Sequence, residues 1–349
     1  MITPSKKEFH YSNIDYILFF YWVFFIISDK KALALSKDSM NILITGADGF
    51  IGSRLMRFLQ DNNAVNSLTG IDINHSPWNK DLPISNCDLA DDNAVNSILE
   101  TRRPETVVLN GALKGLELCQ KETYTAGLVN VFSLKPFVLY ALQNPGVHLI
   151  FISSDMAFGA CPATSFTEDT LPKAANAYGQ MKVIGEEIVK LTSRWAIVRT
   201  ALVYGPLQPE ERKSLLPALE QDTIDNQSLL VHWCSERTLN GIPVALADNV
   251  FCTPTYINDL VLGLAKIISD VKTGIFHCSG SDRISRYNLG VLAASMRGNP
   301  NLVQRFSSER TAIRPLDVSL NNQKTNQKLG IEPVSLADGI RMTLSYEDN

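Results

Sequence analysis

From residue 40 onward, apolar and polar positions group into blocks that read strand, turn, helix. Asn41-Ile42-Leu43-Ile44-Thr45 is a short apolar run before a glycine turn, the pattern of a buried strand. Arg54-Leu55-Met56-Arg57-Phe58-Leu59 has apolar residues at helical spacing and opens an amphipathic helix. Ser67–Ile73, Thr106–Leu109, Val147–Ser153 and Ala196–Val198 predict further strands, with another short one before Asp88. Ala126–Gln143 predicts a helix that Pro136 must kink or re-bound. Strands alternating with helices predict an α/β chain with a Rossmann-type doubly wound parallel sheet, covered on both faces.

After Pro206 the pattern loosens. Residues 207–228 read as polar and partly helical, and Val231–Phe251 as strands broken at Gly241 and Pro243. Leu260–Ile268 reads as a helix, Gly274–His277 as a strand and Tyr287–Met296 as a helix. The expected division is 1–39 outside the fold, 40–206 as the Rossmann domain, and 207–349 as a smaller, interleaved substrate region. Residues 250–262 are expected to return to the Rossmann domain.

Residues 14–27, IDYILFFYWVFFII, stand apart. They fall short of the ~20 apolar residues of a spanning helix. Lys6 and Lys7 before the run and Ala32-Leu33-Ala34 after it imitate an export signal, but Asp29, Lys30 and Lys31 intervene. Three readings stand: an extension with Met40 as the functional start, a membrane-anchoring segment, or an export signal. The expected location is cytoplasmic, with membrane association through 14–27 as its qualification. The 45% hydrophobic and 19% charged composition is that of a globular chain with a sizeable core. A net charge of -4 argues against a nucleic-acid binder with a strongly basic surface. The six cysteines form no CxxC pair and no His/Cys cluster with zinc spacing, so reduced buried thiols and no metal are expected.

The strongest local motif is Thr45-Gly46-Ala47-Asp48-Gly49-Phe50-Ile51-Gly52, between a strand and a helix. One glycine permits the turn, one admits a pyrophosphate to the backbone, and one lets helix and strand pack closely. The helix start then offers free N–H groups to phosphate. Asp72 ends the second strand, where a carboxylate binds adenosine ribose hydroxyls and repels a 2′-phosphate. Asp88 with Leu89 is placed to reach the adenine, and Asn110-Gly111-Ala112 lets a cofactor lie against the backbone. The expected cofactor is NAD or NADP, with Asp72 tilting toward NAD.

Tyr178 and Lys182 are four apart on a predicted helix and share a face. A nearby ammonium is expected to lower the tyrosine pKa and make it an acid/base near neutral pH. Ser153-Ser154-Asp155 ends the strand that precedes this helix, so a serine hydroxyl can meet a substrate oxygen beside Tyr178.

These residues, with Val203-Tyr204-Gly205-Pro206, resemble the extended short-chain dehydrogenase/reductase family from residue 40 to the C-terminus. The resemblance implies that Ser154, Tyr178 and Lys182 are catalytic, that Tyr178 and Lys182 also touch the cofactor, and that a nucleotide sugar is the substrate. It also implies a homodimer. Ser153-Ser154-Asp155-Met156-Ala157-Phe158, Thr253–Leu260, Gly274–Gly280 and Arg314-Pro315 look like segments of dTDP-4-dehydrorhamnose reductases. The turn Gly49-Phe50-Ile51-Gly52 looks more like the sugar epimerases. Met156 cannot transfer a proton, which argues against the related 4,6-dehydratases. The implied activity is reduction of a keto group on a nucleotide-activated sugar. The alternatives are a nucleotide-sugar epimerase and a non-catalytic dinucleotide-binding regulatory subunit.

Overall fold

The computed structural model describes residues 40–62, 65–159, 165–221, 227–309 and 314–345; the apolar run 14–27, the rest of 1–39 and Cys161 lie outside them. The first half contains β1 (Asn41–Thr45), α1 (Phe50–Asp61), β2 (Ser67–Asp72), β3 (Ile84–Asn86), α2 (Asp92–Arg102), β4 (Thr106–Leu109), α3 (Leu116–Lys121), α4 (Thr123–Asn130), α5 (Lys135–Gln143), β5 (His148–Ser154), α6 (Ala177–Val189) and β6 (Arg194–Thr200). The second contains β7 (Val203–Tyr204), α7 (Pro209–Leu219), α8 (Leu230–Leu239), β8 (Val244–Ala247), β9 (Phe251–Cys252), β10 (Thr255–Tyr256), α9 (Ile257–Ser269), β11 (Gly274–His277), β12 (Ile284–Ser285), α10 (Arg286–Met296), β13 (Val303–Phe306), α11 (Gln323–Leu329) and α12 (Leu336–Ser345). Seven strands form one sheet in the order β11-β6-β5-β4-β1-β2-β3. All its pairings are parallel. Chain progression reverses between β1 and β4, the switch point at which open α/β sheets bind ligands beyond the strands' carboxyl ends.

Alternation along each strand builds a core on both faces. Ile42 and Ile44 join Leu55, Met56 and Leu59 of α1 in one apolar cluster. Leu43 joins Val95 and Leu99 of α2 and Phe137 of α5 in the other. In β5, Ile150 and Ile152 face the first cluster while Leu149 and Phe151 face the second. Because both faces are covered, these strands read as unbroken apolar runs.

Thr123–Gln143 is long and apolar enough to cross a membrane by composition, with mean hydropathy 1.4. It breaks instead at a single 3-10 turn, Phe132–Leu134. Helix α5 then restarts with Pro136 in its first turn, where the missing N–H costs no helical bond. Its buried Phe137, Val138 and Ala141 cover the sheet.

One expectation for the second half is corrected. Val231–Phe251 is not a run of strands: Leu230–Leu239 is a helix, and only β8 and β9 are extended. Eight of its ten residues are buried, so the apolar run lacks the one-sided period that marks a surface helix. Its polar groups are satisfied inside: His232 Nε2 meets Gly205 O at 2.9 Å, and Trp233 Nε1 donates to Gln221 O at 2.9 Å. Residues 250–262 hold β10, which pairs with β7, and the start of α9. Helix α9 packs on α1, and β11 pairs with β6 as the sheet's edge.

Candidate active site

The glycine turn sits at the carboxyl end of β1. Gly46 has φ +63°, and a Cβ there would stand 2.8 Å from Gly111 Cα. A Cβ on Gly52 would stand 2.2 Å from Gly46 O, so α1 and the turn touch only because both are glycine. Helix α1 starts from Gly49 with no side-chain cap and no acidic residue in its first turn. The N–H groups of Phe50, Ile51 and Gly52 therefore face outward with the positive end of the helix dipole behind them. Thr45 ties this turn to the next strand. Its Oγ1 accepts from the N–H of Asn110 (3.0 Å) and of Gly111 (2.9 Å), and Asn110 Nδ2 donates to Gly46 O (3.1 Å). Ala112 follows, partly buried. This cradle fits a dinucleotide pyrophosphate: tight backbone, free donors and no competing carboxylate at the helix start.

The acidic residues divide. Asp72 Oδ2 accepts from the Asp48 N–H (3.0 Å), placing its carboxylate against the glycine turn. Asp88 is exposed, and its Oδ1 accepts from the Ala90 N–H (2.9 Å) in a local turn. Leu89 packs on Gly111, where a Cβ would stand 2.4 Å from Leu89 Cδ1. Asp48 departs from its expected role. Its carboxylate accepts from the Ser76 N–H (3.0 Å) and Asn79 Nδ2 (2.8 Å), so it fastens the 76–79 loop rather than facing the groove.

Ser154, Tyr178 and Lys182 come together where β5 ends beside α6. Asn176 caps α6 by accepting from the Gly179 N–H (2.8 Å). A Cβ on Gly179 would lie 2.0 Å from Met156 O, so only glycine lets the helix start rest on the turn that follows Ser154. Lys182 is 3% exposed. Its Nζ donates to Ile152 O (2.8 Å) and lies 5.8 Å from the centre of the Tyr178 ring. Ser154 Oγ donates to Asp155 Oδ1 (2.7 Å) and accepts from the Met156 N–H (3.2 Å).

Burial dominates the proton affinities. It pushes the Tyr178 phenol well above its ordinary range, helped by the charges of Asp155 and Cys119 and opposed by a hydrogen bond with Ser154. The expectation that Lys182 lowers Tyr178 is thereby corrected. Desolvation is the main cause, and the ammonium is bonded to a backbone carbonyl. Burial and the charge of Lys114 push Lys182 down to about 8, while Glu186 pulls it up. Burial pushes Asp155 up to about 6, against the Ser154 hydrogen bond and the charge of Arg286.

Sequence reasoning missed the supports of this site. Glu186, one turn beyond Lys182, is fully buried. It accepts from Ser153 Oγ (2.6 Å) and from Arg199 Nε (2.9 Å) and Nη2 (2.7 Å). The pair welds α6 to β5 and β6; the signal was a carboxylate four residues after Lys182. Lys114, after β4, is within electrostatic reach of both Asp72 and Lys182. Cys119, also buried, lies in the apolar cluster that holds Tyr178.

Comparison with known proteins agrees with this architecture. The methionine adenosyltransferase 2 subunit beta of Xenopus laevis is 24% identical over 318 residues, 88% of this chain and 87% of the relative. A dTDP-4-dehydrorhamnose reductase of Aggregatibacter actinomycetemcomitans is 23% identical over 323 residues, 88% of this chain and 99% of the relative. Among solved structures, the Bacillus anthracis dTDP-4-dehydrorhamnose reductase in complex with NADP superposes with a TM-score of 0.68 at 20% identity, covering 88% of this chain and 99% of that one. The Thermus thermophilus UDP-glucose 4-epimerase complex with NAD superposes with a TM-score of 0.74 at 20% identity, covering 88% and 98%. Residues 40–347 match the RmlD substrate binding domain family, and the chain belongs to it.

Proposed function

We propose that this chain is an NAD(P)-dependent reductase of a keto group on a nucleotide-activated sugar, similar to the dTDP-4-dehydrorhamnose reductases. One observation carries the reading: Ser154, Tyr178 and Lys182 meet where β5 ends beside α6, in the same sheet whose β1 ends in the glycine turn. A reductase needs a proton donor at its ketone, and a phenol held in its acid form is one.

The chain's residues divide the work. The backbone of Gly46, Gly49 and Gly52, with the N–H groups of Phe50 and Ile51, holds the pyrophosphate, and Asp48 supports the turn through Asp72 and the 76–79 loop. Asp72 takes the ribose hydroxyls and favours NAD, Asp88 and Leu89 flank the adenine, and Asn110, Gly111 and Ala112 form the floor. When bound, the nicotinamide cofactor supplies the hydride. Ser154 and Tyr178 orient and polarise the ketone, Tyr178 gives it a proton, and Lys182 stabilises the phenolate left behind. The test is NADH and NADPH oxidation against a panel of 4-keto nucleotide sugars. Turnover of at least one, lost in Lys182→Met, is expected; no oxidation across the panel refutes the reading.

A second reading has its own support. Several relatives are methionine adenosyltransferase 2 beta subunits, and that name supports the reading of a regulatory subunit. Co-purification of a stoichiometric enzyme partner, together with an inert panel, favours it. Tightly retained NAD and activity without added cofactor would instead favour an epimerase.

A further inference from the structure

Arg199 lies wholly inside the fold, and its guanidinium reaches Glu186, His277 and Phe158. Nε and Nη2 donate to the two oxygens of Glu186 (2.9 and 2.7 Å). Nη1 stands 3.4 Å from His277 Nε2. His277 Nδ1 meets Asn321 O at 3.1 Å. A carbonyl can only accept, so the histidine proton sits on Nδ1, and Nε2 accepts from the arginine. The guanidinium carbon lies 5.0 Å from the centre of the Phe158 ring, a cation over an aromatic face with no water between.

Two of these contacts lead to the same serine. Ser153 stands opposite Arg199 in the β5–β6 register, and its Oγ donates to Glu186 Oε1 (2.6 Å), the oxygen that Arg199 Nε also holds. Phe158 acts from the other side. Its N–H donates to Asp155 O (3.0 Å) and closes the turn after Ser154, while its ring stacks on Phe166 with centroids 4.4 Å apart. The residue before Ser154 and the residue that closes its turn therefore hang from one guanidinium. Stability is a poor reason for this arrangement. Burying two charges costs about as much as their attraction returns, and apolar residues of similar volume often serve as well. What a planar, forked cation supplies, and an apolar side chain does not, is fixed direction.

We propose that Arg199 is a positioning residue for Ser154. It holds Ser153 through Glu186 and Phe158 through its ring, and between these two arms it sets where the Ser154 hydroxyl meets the substrate ketone. The proposal rests on the reductase reading above, in which Ser154 orients that ketone.

The test is steady-state oxidation of NADH or NADPH by the full chain with a 4-keto nucleotide sugar from the panel. Ser153→Ala removes one arm and Phe158→Leu the other, and both leave Ser154 and the Glu186–Arg199 pair in place. Each should lower kcat by about 10- to 100-fold, the scale of a misplaced reacting group, with the KM for the cofactor unchanged. Arg199→Lys keeps the charge without the fork and should lower kcat further; the arm variants carry the test if it fails to fold. The discriminating step repeats both arm variants in Ser154→Ala. Losing one hydrogen-bond donor costs about 10²- to 10³-fold, which leaves a rate to measure. Arms that act through the Ser154 hydroxyl then have nothing left to position, so adding Ser153→Ala or Phe158→Leu should cost nothing further. A merely structural role multiplies the losses instead, and that result overturns the proposal. Wild-type kcat in either folded arm variant, or in Ser154→Ala, also overturns it and leaves the reductase reading standing. No oxidation by the wild type across the panel overturns both.

Discussion

The hydrogen bond between Ser154 and Asp155 sets a pH dependence for the proposed reduction. Ser154 has one proton, and it is committed to Asp155 Oδ1 at 2.7 Å. While Asp155 is ionised, the hydroxyl has nothing left to give a ketone. Once Asp155 is protonated, its carboxyl can donate to Ser154 instead, and the serine proton turns toward the substrate. Burial pushes that carboxyl up to about 6. At pH 5 roughly nine molecules in ten then carry the proton, and at pH 7 roughly one in ten. The quantity kcat/KM, which reports ionisations of the free enzyme, should fall about tenfold as pH rises between those values. A second loss is expected as pH passes about 8, where Lys182 gives up the charge that stabilises the phenolate. Asp155→Asn offers the discriminating comparison. Its amide donates to Ser154 at every pH, so it should hold the acid plateau from pH 5 to 7. Initial rates of NAD(P)H oxidation over pH 5 to 9 measure both profiles. A flat wild-type profile up to pH 7, or the same fall in Asp155→Asn, refutes the reasoning.

Tyr178→Phe removes the proposed proton donor. Turnover should drop by about 10²- to 10⁴-fold with cofactor affinity unchanged; comparable turnover in a rate assay would dismiss the role. Gly179→Ala puts a Cβ 2.0 Å from Met156 O, so helix and turn must separate by about 1 Å, enough to cost about 100-fold in kcat. Wild-type kinetics in that variant would contradict the packing argument. Glu186→Gln leaves Arg199 buried without its counter-charge and should cost about 3–5 kcal/mol in urea unfolding. Pairing it with Arg199→Met should recover part of that loss, and strict additivity of the two changes would show that the residues are not coupled.

What the sequence made legible follows from where the information resides. β1, β4 and β5 are buried on both faces, so their apolar runs are continuous and hard to mistake. Pro136 announced a break, and the break is there, because a fixed φ and a missing N–H act locally. Helix α8 was misread for the same physical reason. A ten-residue segment buried nearly all round carries no period, and LVHWCSERTL has the apolar density of a strand. The return of β11 to the sheet edge rests on its register with β6, Gly274 opposite Ala196 and His277 opposite Arg199. No local pattern encodes a pairing across nearly eighty residues.

The candidate site divides along the same line. Which residues meet was legible, because a glycine turn, a strand end and an i, i+4 pair are each short-range devices. What the residues experience was not. The expectation for Tyr178 treated Lys182 as a free charge beside an otherwise ordinary phenol. In the structure the ammonium donates to Ile152 O, and Tyr178 packs half-buried against Cys119 and Met181. Burial raises the phenol, because removing water penalises the phenolate. Asp48 shows the converse: a carboxylate inside the motif is consumed by the Ser76–Asn79 loop, and its backbone N–H and C=O are taken by Asp72 and Asn79. A phenol kept in its acid form is ready to give a proton to a ketone, whereas alcohol oxidation needs the phenolate first.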